Sequence, residues 1–236
     1  MKLQGKTAVI TGGSEGIGRA IALRLAREGV ALALIARHGD NLQKVKSEIA
    51  NSFPDLQVRV YPCDITDTSG LTDICESVVK DFSGVDILVN NAGIWQKRMP
   101  IEEVSQETVD DIIGTNLTAL LHMTRLLLPT LKKADESAVI NISSSSGVRA
   151  PEGQSVYAAS KWGVRGFTEV LKEDLKGSSV RVAGVYQAGT DTGLFSKADD
   201  ARGQEKYTRP EDLADVIAYM LSQPAKIWIH EVRVSN

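Results

Sequence analysis

The chain has little cysteine, few aromatics and almost no surplus of charge. Its two cysteines, Cys63 and Cys75, have no metal-ligand spacing and cannot build a disulfide framework. They read as ordinary thiols of a reducing cytoplasm, and no metal is expected. Formal net charge is −3 over 236 residues, with aromatics at 5%. That balance gives no electrostatic case for nucleic acid or an anionic membrane. No stretch approaches the ~18 apolar residues of a membrane-spanning helix. The opening MKLQGKTAVITGG enters a strand-like run at once and has no apolar segment of signal-peptide length. No repeat, low-complexity tract or Pro/Gly-rich linker divides the chain, so one cytoplasmic domain over 1–236 is the expectation. The three histidines, His38, His122 and His230, lie outside every motif below and read as structural.

What is present is 42% hydrophobic and 24% charged residues, enough for a sizeable core. Lys6–Thr11 is a short apolar run stopped by Gly12-Gly13, and a helical pattern (Ile21, Leu23, Leu25, Ala26) follows until Gly29. Val30–Ala36 has no polar alternation and reads as a strand buried on both faces. Strand, glycine turn, helix and strand make a βαβ unit. The alternation continues with helix 41–53, strand 56–61, helix 66–82 and strand 85–89. A long helix over 105–133, strand 137–142, helix 154–176 and strand 180–186 come next. A helix from Pro210, at its favoured first position, and a strand over 227–234 close the chain. This predicts an α/β fold, with seven parallel strands covered by helices on both faces in three layers.

Two stretches carry chemistry. TGGSEGIG at 11–18 places glycines at 12, 13, 16 and 18, where they permit positive φ and a close backbone approach. The helix behind them offers free N–H groups to a phosphate, although a tight strand–helix turn would serve with no ligand. In SVYAASKWGVR, Tyr157 and Lys161 lie four apart and so share one helix face. A nearby ammonium favours phenolate and is expected to lower the tyrosine pKa from ~10. The bland alternative is a half-buried Tyr beside a solvated Lys. Ser144 ends a strand at the edge where open α/β sheets bind ligands. Its hydroxyl can polarise a carbonyl oxygen while Tyr157 supplies the proton.

These stretches, with NNAG at 90–93, Asn116 in the long helix and the serine run 143–146, resemble the single-domain short-chain dehydrogenases/reductases. The resemblance spans essentially the whole chain. It implies a Rossmann fold and hydride transfer between NAD(P) and an alcohol or carbonyl. It also implies a catalytic set of Ser144, Tyr157, Lys161 and Asn116, the last anchoring a water that links Lys161 to solvent. Read alone, Asn116 would be a helix-interior residue bonding nearby backbone. The cofactor is expected on Gly12, Ser14, Glu15, Gly16, Ile17 and Gly18 of the glycine turn. Arg37, Asp64 and Ile65 would meet the adenosine, and Asn91, Ala92 and Gly93 the nicotinamide ribose side. Tyr157, Lys161, Ala188, Gly189, Thr190 and Thr192 would complete the site. The relatives pair their long helices about a two-fold axis, which implies a homodimer or homotetramer here.

The second strand ends in Ala36-Arg37-His38, with no acid to hold a ribose 2′-hydroxyl. Arg37 can meet a 2′-phosphate instead, so NADP(H) is preferred, with NAD(H) possible. Glu15, where NADP-preferring relatives often carry a basic residue, argues the other way. Asp64 is expected to bond the adenine, or else to cap the helix from Thr66. The substrate pocket should draw on Ile94, Trp95, Ser146, Val148, Gln154, Tyr186 and a lid over 190–209. That lid balances Lys197, Arg202 and Lys206 against Asp199, Asp200 and Glu205, and so does not steer toward a polyanion such as an acyl carrier. A small carbonyl or secondary alcohol is the expected substrate. A non-catalytic NADP-binding regulator on the same fold is the alternative. Ala188 replaces the proline usual in relatives. If Ala188 only loosens the hinge, Ala188→Pro should stabilise the protein; if its N–H is bonded, the variant should melt lower.

Overall fold

The computed structural model describes residues 1–200, 206–224 and 226–235. Arg202 and Glu205 of the expected lid lie outside them. Among the described residues the strands are β1 (Thr7–Thr11), β2 (Ala31–Ala36), β3 (Val58–Pro62), β4 (Ile87–Asn90), β5 (Ser137–Ile142), β6 (Val180–Gln187) and β7 (Glu231–Val234). They form one parallel sheet in the order β3-β2-β1-β4-β5-β6-β7. The order reverses between β1 and β4. At such a switch point the crevice beyond the strands' carboxyl ends is open to a ligand.

Alternate residues of the strands feed two cores, as a period of two demands. Ala8 and Ile10 of β1 pack with α1 (Gly16–Arg27), α2 (Gly39–Ser52) and α7 (Pro210–Ser222). Val9 between them faces the other way, toward α3 (Thr68–Phe82), α5 (Ala119–Leu131) and α6 (Ser155–Asp174). The inner strands β1, β4 and β5 are buried along their whole length. No helix of the described residues is long and apolar enough to cross a membrane.

Local chemistry sets the helix ends. Asp67, rather than Thr66, caps α3 by accepting from the N–H groups of Ser69 and Gly70. Ser105 caps α4 (Gln106–Ile113) through the Thr108 N–H, and Pro210 opens α7. The long helix expected over 105–133 is not uniform. Its halves α4 and α5 meet in a π-helical turn, Gly114–Thr118, centred on Asn116. The wider turn shifts the helix register there and points a single polar side chain off the apolar face, as such turns often do at functional sites.

The hinge after β6 is bonded rather than loose. The Ala188 N–H donates to the Val234 carbonyl at 2.9 Å, which extends the β6–β7 ladder by one residue. Proline would remove that donor and leave the acceptor unmet. This overturns the expectation that the replacement merely loosens the lid. Ala188→Pro is expected to destabilise by about 1–3 kcal/mol, read as a clearly lower melting temperature. An unchanged or higher one would contradict the bonded hinge.

Candidate active site

The glycine turn between β1 and α1 stands at the switch point. A Cβ on Gly18 would lie 2.1 Å from the Gly12 carbonyl, so the first turn of α1 can approach β1 this closely only as glycine. Gly12 and Gly16 take φ of +65° and +52°. Among the described residues no side chain caps α1, which leaves its first N–H groups for an anion. The NNAG segment is tied to this turn. Thr11 Oγ1 accepts from the Asn91 and Ala92 N–H groups at 3.0 and 3.1 Å, and Asn91 Nδ2 donates to the carbonyls of Thr11 and Gly12. Ser14 and Ile17 are half-buried in the turn. Glu15 is exposed and ion-paired to Lys197 of the lid, and Thr192 packs against Gly16.

At the far rim Arg37 is exposed just after β2. Asp64 lies beyond the neighbouring β3, with Ile65 half-buried beside it. The Asp64 carboxylate accepts from the Thr66 N–H at 3.0 Å and its hydroxyl at 2.7 Å. Those bonds, with help from Arg37, hold its pKa below the usual range. It therefore turns the chain ahead of α3 rather than capping the helix. At the near rim Gly189 packs closely on Tyr207. Thr190 is buried, with no hydrogen-bond partner for its hydroxyl among the described residues. An uncapped helix start, an exposed Arg37 and an unmet hydroxyl at the lid base suit a nicotinamide dinucleotide phosphate.

The proton-handling groups are gathered where β5 meets α6. Ser144 lies two residues beyond β5, where its Oγ accepts from the Ser146 N–H at 3.1 Å and its hydroxyl neighbours the Tyr157 phenol. Tyr157 and Lys161, one turn apart on α6, are each only 4% exposed. Lys161 Nζ donates to the Ile142 carbonyl at 3.2 Å, and Ser143 Oγ donates to the Lys161 carbonyl at 3.1 Å. Asn116 Oδ1 accepts from the Ile94 N–H at 2.7 Å, while Nδ2 donates to the Ile94 carbonyl and to Ser160 Oγ. Its amide is thus spent on the loop after β4 and on α6, not on its own helix. Gly93 lies between the two groups, its notional Cβ 3.1 Å from Asn116 Oδ1 and 3.5 Å from Lys161 Nζ.

The electrostatics differ from the sequence expectation. Burial pushes the Tyr157 phenol up to about 12, with the Ser144 hydrogen bond pulling the other way. Burial also draws the Lys161 ammonium down to about 8. Lys161 Nζ sits 5.7 Å from the centre of the phenol ring, and the cost of removing both groups from water outweighs its attraction for a phenolate.

Other placements were only partly legible. Trp95 lies edge-on to Tyr157, ring centres 4.5 Å apart, and Ser146 Oγ donates to Gln154 Oε1 beside them. Val148 is half-buried next to that pair. Tyr186 is not in this pocket: its ring packs under Arg165 of α6, toward Glu169 and Glu231. Two residues escaped notice. Gln96 is buried, and its Oε1 accepts from the Tyr157 N–H at 3.0 Å. Phe195 meets Trp95 edge to face, ring centres 4.9 Å apart. Both contacts join distant segments and leave no periodic signal.

The comparisons with known proteins agree with this geometry. The family described as short chain dehydrogenase matches residues 6–203. D-beta-hydroxybutyrate dehydrogenase of Cupriavidus necator is 37% identical over 204 residues, covering 86% of this chain and 78% of that protein. The solved alcohol dehydrogenase from the archaeon Thermococcus sibiricus, complexed with 5-hydroxy-NADP, superposes with a TM-score of 0.89 at 28% identity, covering 97% of this chain and 95% of that one. A metagenomic short-chain oxidoreductase in complex with NADP gives 0.85 at 31% identity, each chain covered in full.

Proposed function

The chain belongs to the short-chain dehydrogenase/reductase family and is an oxidoreductase, and from that premise we propose that it interconverts a small carbonyl compound and its secondary alcohol with NADP(H). The observation that carries this reading is the burial of Tyr157 and Lys161 one turn apart on α6, with the Ser144 hydroxyl beside the phenol. A bound NADPH supplies the hydride to the carbonyl carbon. The chain's own residues handle the oxygen. Ser144 donates a hydrogen bond to it as negative charge develops, and Tyr157, held neutral by burial, gives it the proton. Lys161 lies next to Tyr157 and is itself poised to give up a proton near pH 8. Asn116 acts by position, fixing Ile94 and Ser160 around the reacting pair. Tyr157→Phe is expected to keep cofactor binding while kcat falls roughly 10²–10⁴-fold. A variant keeping more than about half of the wild-type turnover would contradict the assignment.

The preference for NADP(H) rests on Arg37, the cation at the end of β2. Glu15 weighs less against it than its sequence position suggests, because Lys197 meets its charge; both side chains are more than half exposed, so that pairing is weak. Relatives of known structure hold NADP or its 5-hydroxy derivative. The expected result is a higher kcat/KM with NADPH than with NADH. Arg37→Ala should erase about 10–100-fold of that ratio, the worth of a charge-assisted contact. Better use of NADH by the wild type would overturn the Arg37 assignment.

A further inference from the structure

We propose that Trp95 and Arg98 form a carboxylate-binding subsite beside Tyr157, so that the carbonyl substrate is a small keto acid and the product its hydroxy acid. The proposal rests on the oxidoreductase reading above and narrows it to a substrate class. In this structure the subsite holds a carboxylate already, that of Asp200 from the lid. The Asp200 side chain is 2% exposed. Its Oδ2 accepts from Trp95 Nε1–H at 3.1 Å and lies 3.8 Å from Arg98 Nε. A hydrogen-bond donor and a cation on one loop thus face a single oxygen. Removing a carboxylate from water costs several kcal/mol unless the receiving groups compensate, so a place that accepts one is electrostatically suited to an anion.

The position of this anion site gives the proposal its content. The indole that donates to the carboxylate lies edge-on to the Tyr157 ring. The carboxylate site and the catalytic tyrosine thus flank the same indole, and the proposed substrate is a short acid whose two ends reach both. The donors are also pre-set. Asn116 grips Ile94 from both sides, Gln96 bonds the Tyr157 N–H, and the Met99 N–H donates to the Gly153 carbonyl. The loop that carries Trp95 and Arg98 is therefore fixed to the same frame as the catalytic tyrosine. Gln96 Nε2 is buried with no partner among the described residues, a further polar group left in this loop for a polar substrate. Arg98 is 47% exposed, so a solute anion can reach it.

Asp200 is attached differently. It follows the lid's short helical turn Ser196–Ala198, and its N–H bonds the Phe195 carbonyl. The Phe195 ring meets Trp95 edge to face. The lid thus lays an apolar ring and a carboxylate on the subsite together. A keto acid entering the site takes the place of the Asp200 carboxylate and leaves the Phe195 contact to close over its chain.

The test compares three- to six-carbon keto acids with their methyl esters, which match them in shape and lack the charge. With NADPH, the wild type should show a kcat/KM for the best acid roughly tenfold or more above that for its ester, the worth of a charge-assisted hydrogen bond. Arg98→Leu should bring the acid-to-ester ratio close to one, while Arg98→Lys should retain most of it. Asp200→Asn should raise the ratio by removing the internal competitor. A wild-type ratio near one, or a ratio that Arg98→Leu leaves unmoved, overturns the subsite and reduces Asp200 to a lid fastening. If no acid, ester or neutral ketone consumes NADPH, the oxidoreductase reading itself fails. Binding then decides the subsite separately: indole fluorescence titrated with the same acids should saturate at a concentration at least roughly tenfold lower in wild type than in Arg98→Leu. Equal saturation in the two overturns it.

Discussion

Burying a phenol and an ammonium side by side is the constraint that the rest of this structure serves. Tyr157 and Lys161 are both almost fully enclosed, and neither has an opposite charge in contact. Among the described residues Lys161 Nζ bonds the Ile142 carbonyl, and the Ser144 hydroxyl lies beside the Tyr157 phenol. In so dry a setting each group favours its neutral form. The phenol stays protonated far above neutrality and the ammonium holds its proton only weakly. Tyr157 then gives up its proton only to an oxygen that has become strongly basic, and the loosely held Lys161 proton lies next to it. The pair has kept its chemistry by giving up solvation, and the surrounding fold supplies the positioning that water would not.

That positioning comes from loops fastened at both ends. The segment after β4 is held to β1 by Thr11, to the π turn by Asn116 and to the start of α6 by Gln96. Below it runs a buried polar chain. Asn90 donates to Thr124 and to Asn141, and Asn141 donates to Thr168. This chain links β4, β5, α5 and α6 through bonds of 2.9–3.0 Å, with Asn90 Oδ1 alone of its amide atoms unpartnered among the described residues. The π turn belongs to the same design. In that wider turn the Asn116 amide meets the Ile94 backbone from both sides.

Much of this was legible in the sequence, for a physical reason. Apolar runs without alternation mark strands covered on both faces, and the glycines of the turn mark where backbone must approach backbone. The four-residue spacing of Tyr157 and Lys161 places both on one face of α6. These are local regularities. What escaped depends on pairings across the fold. Gln96 reaches Tyr157 and Asp200 reaches Trp95 over separations that no periodicity encodes. The Ala188 N–H has a partner only because β7 lies alongside β6. Tyr186 was placed in the wrong compartment because the face of a strand residue follows register. The sense of the Tyr157 pKa was also missed: spacing shows that a cation is near, but not how little water is left around it.

The central claim, that burial rather than the neighbouring cation governs Tyr157, is open to direct titration. The phenolate absorbs in the near ultraviolet, so the wild-type spectrum minus that of Tyr157→Phe isolates this one tyrosine. The account predicts that in the cofactor-free protein Tyr157 stays protonated through pH 10 and ionises at about 12. A midpoint below the ~10 of a tyrosine in water would show that Lys161 outweighs desolvation, and would contradict it.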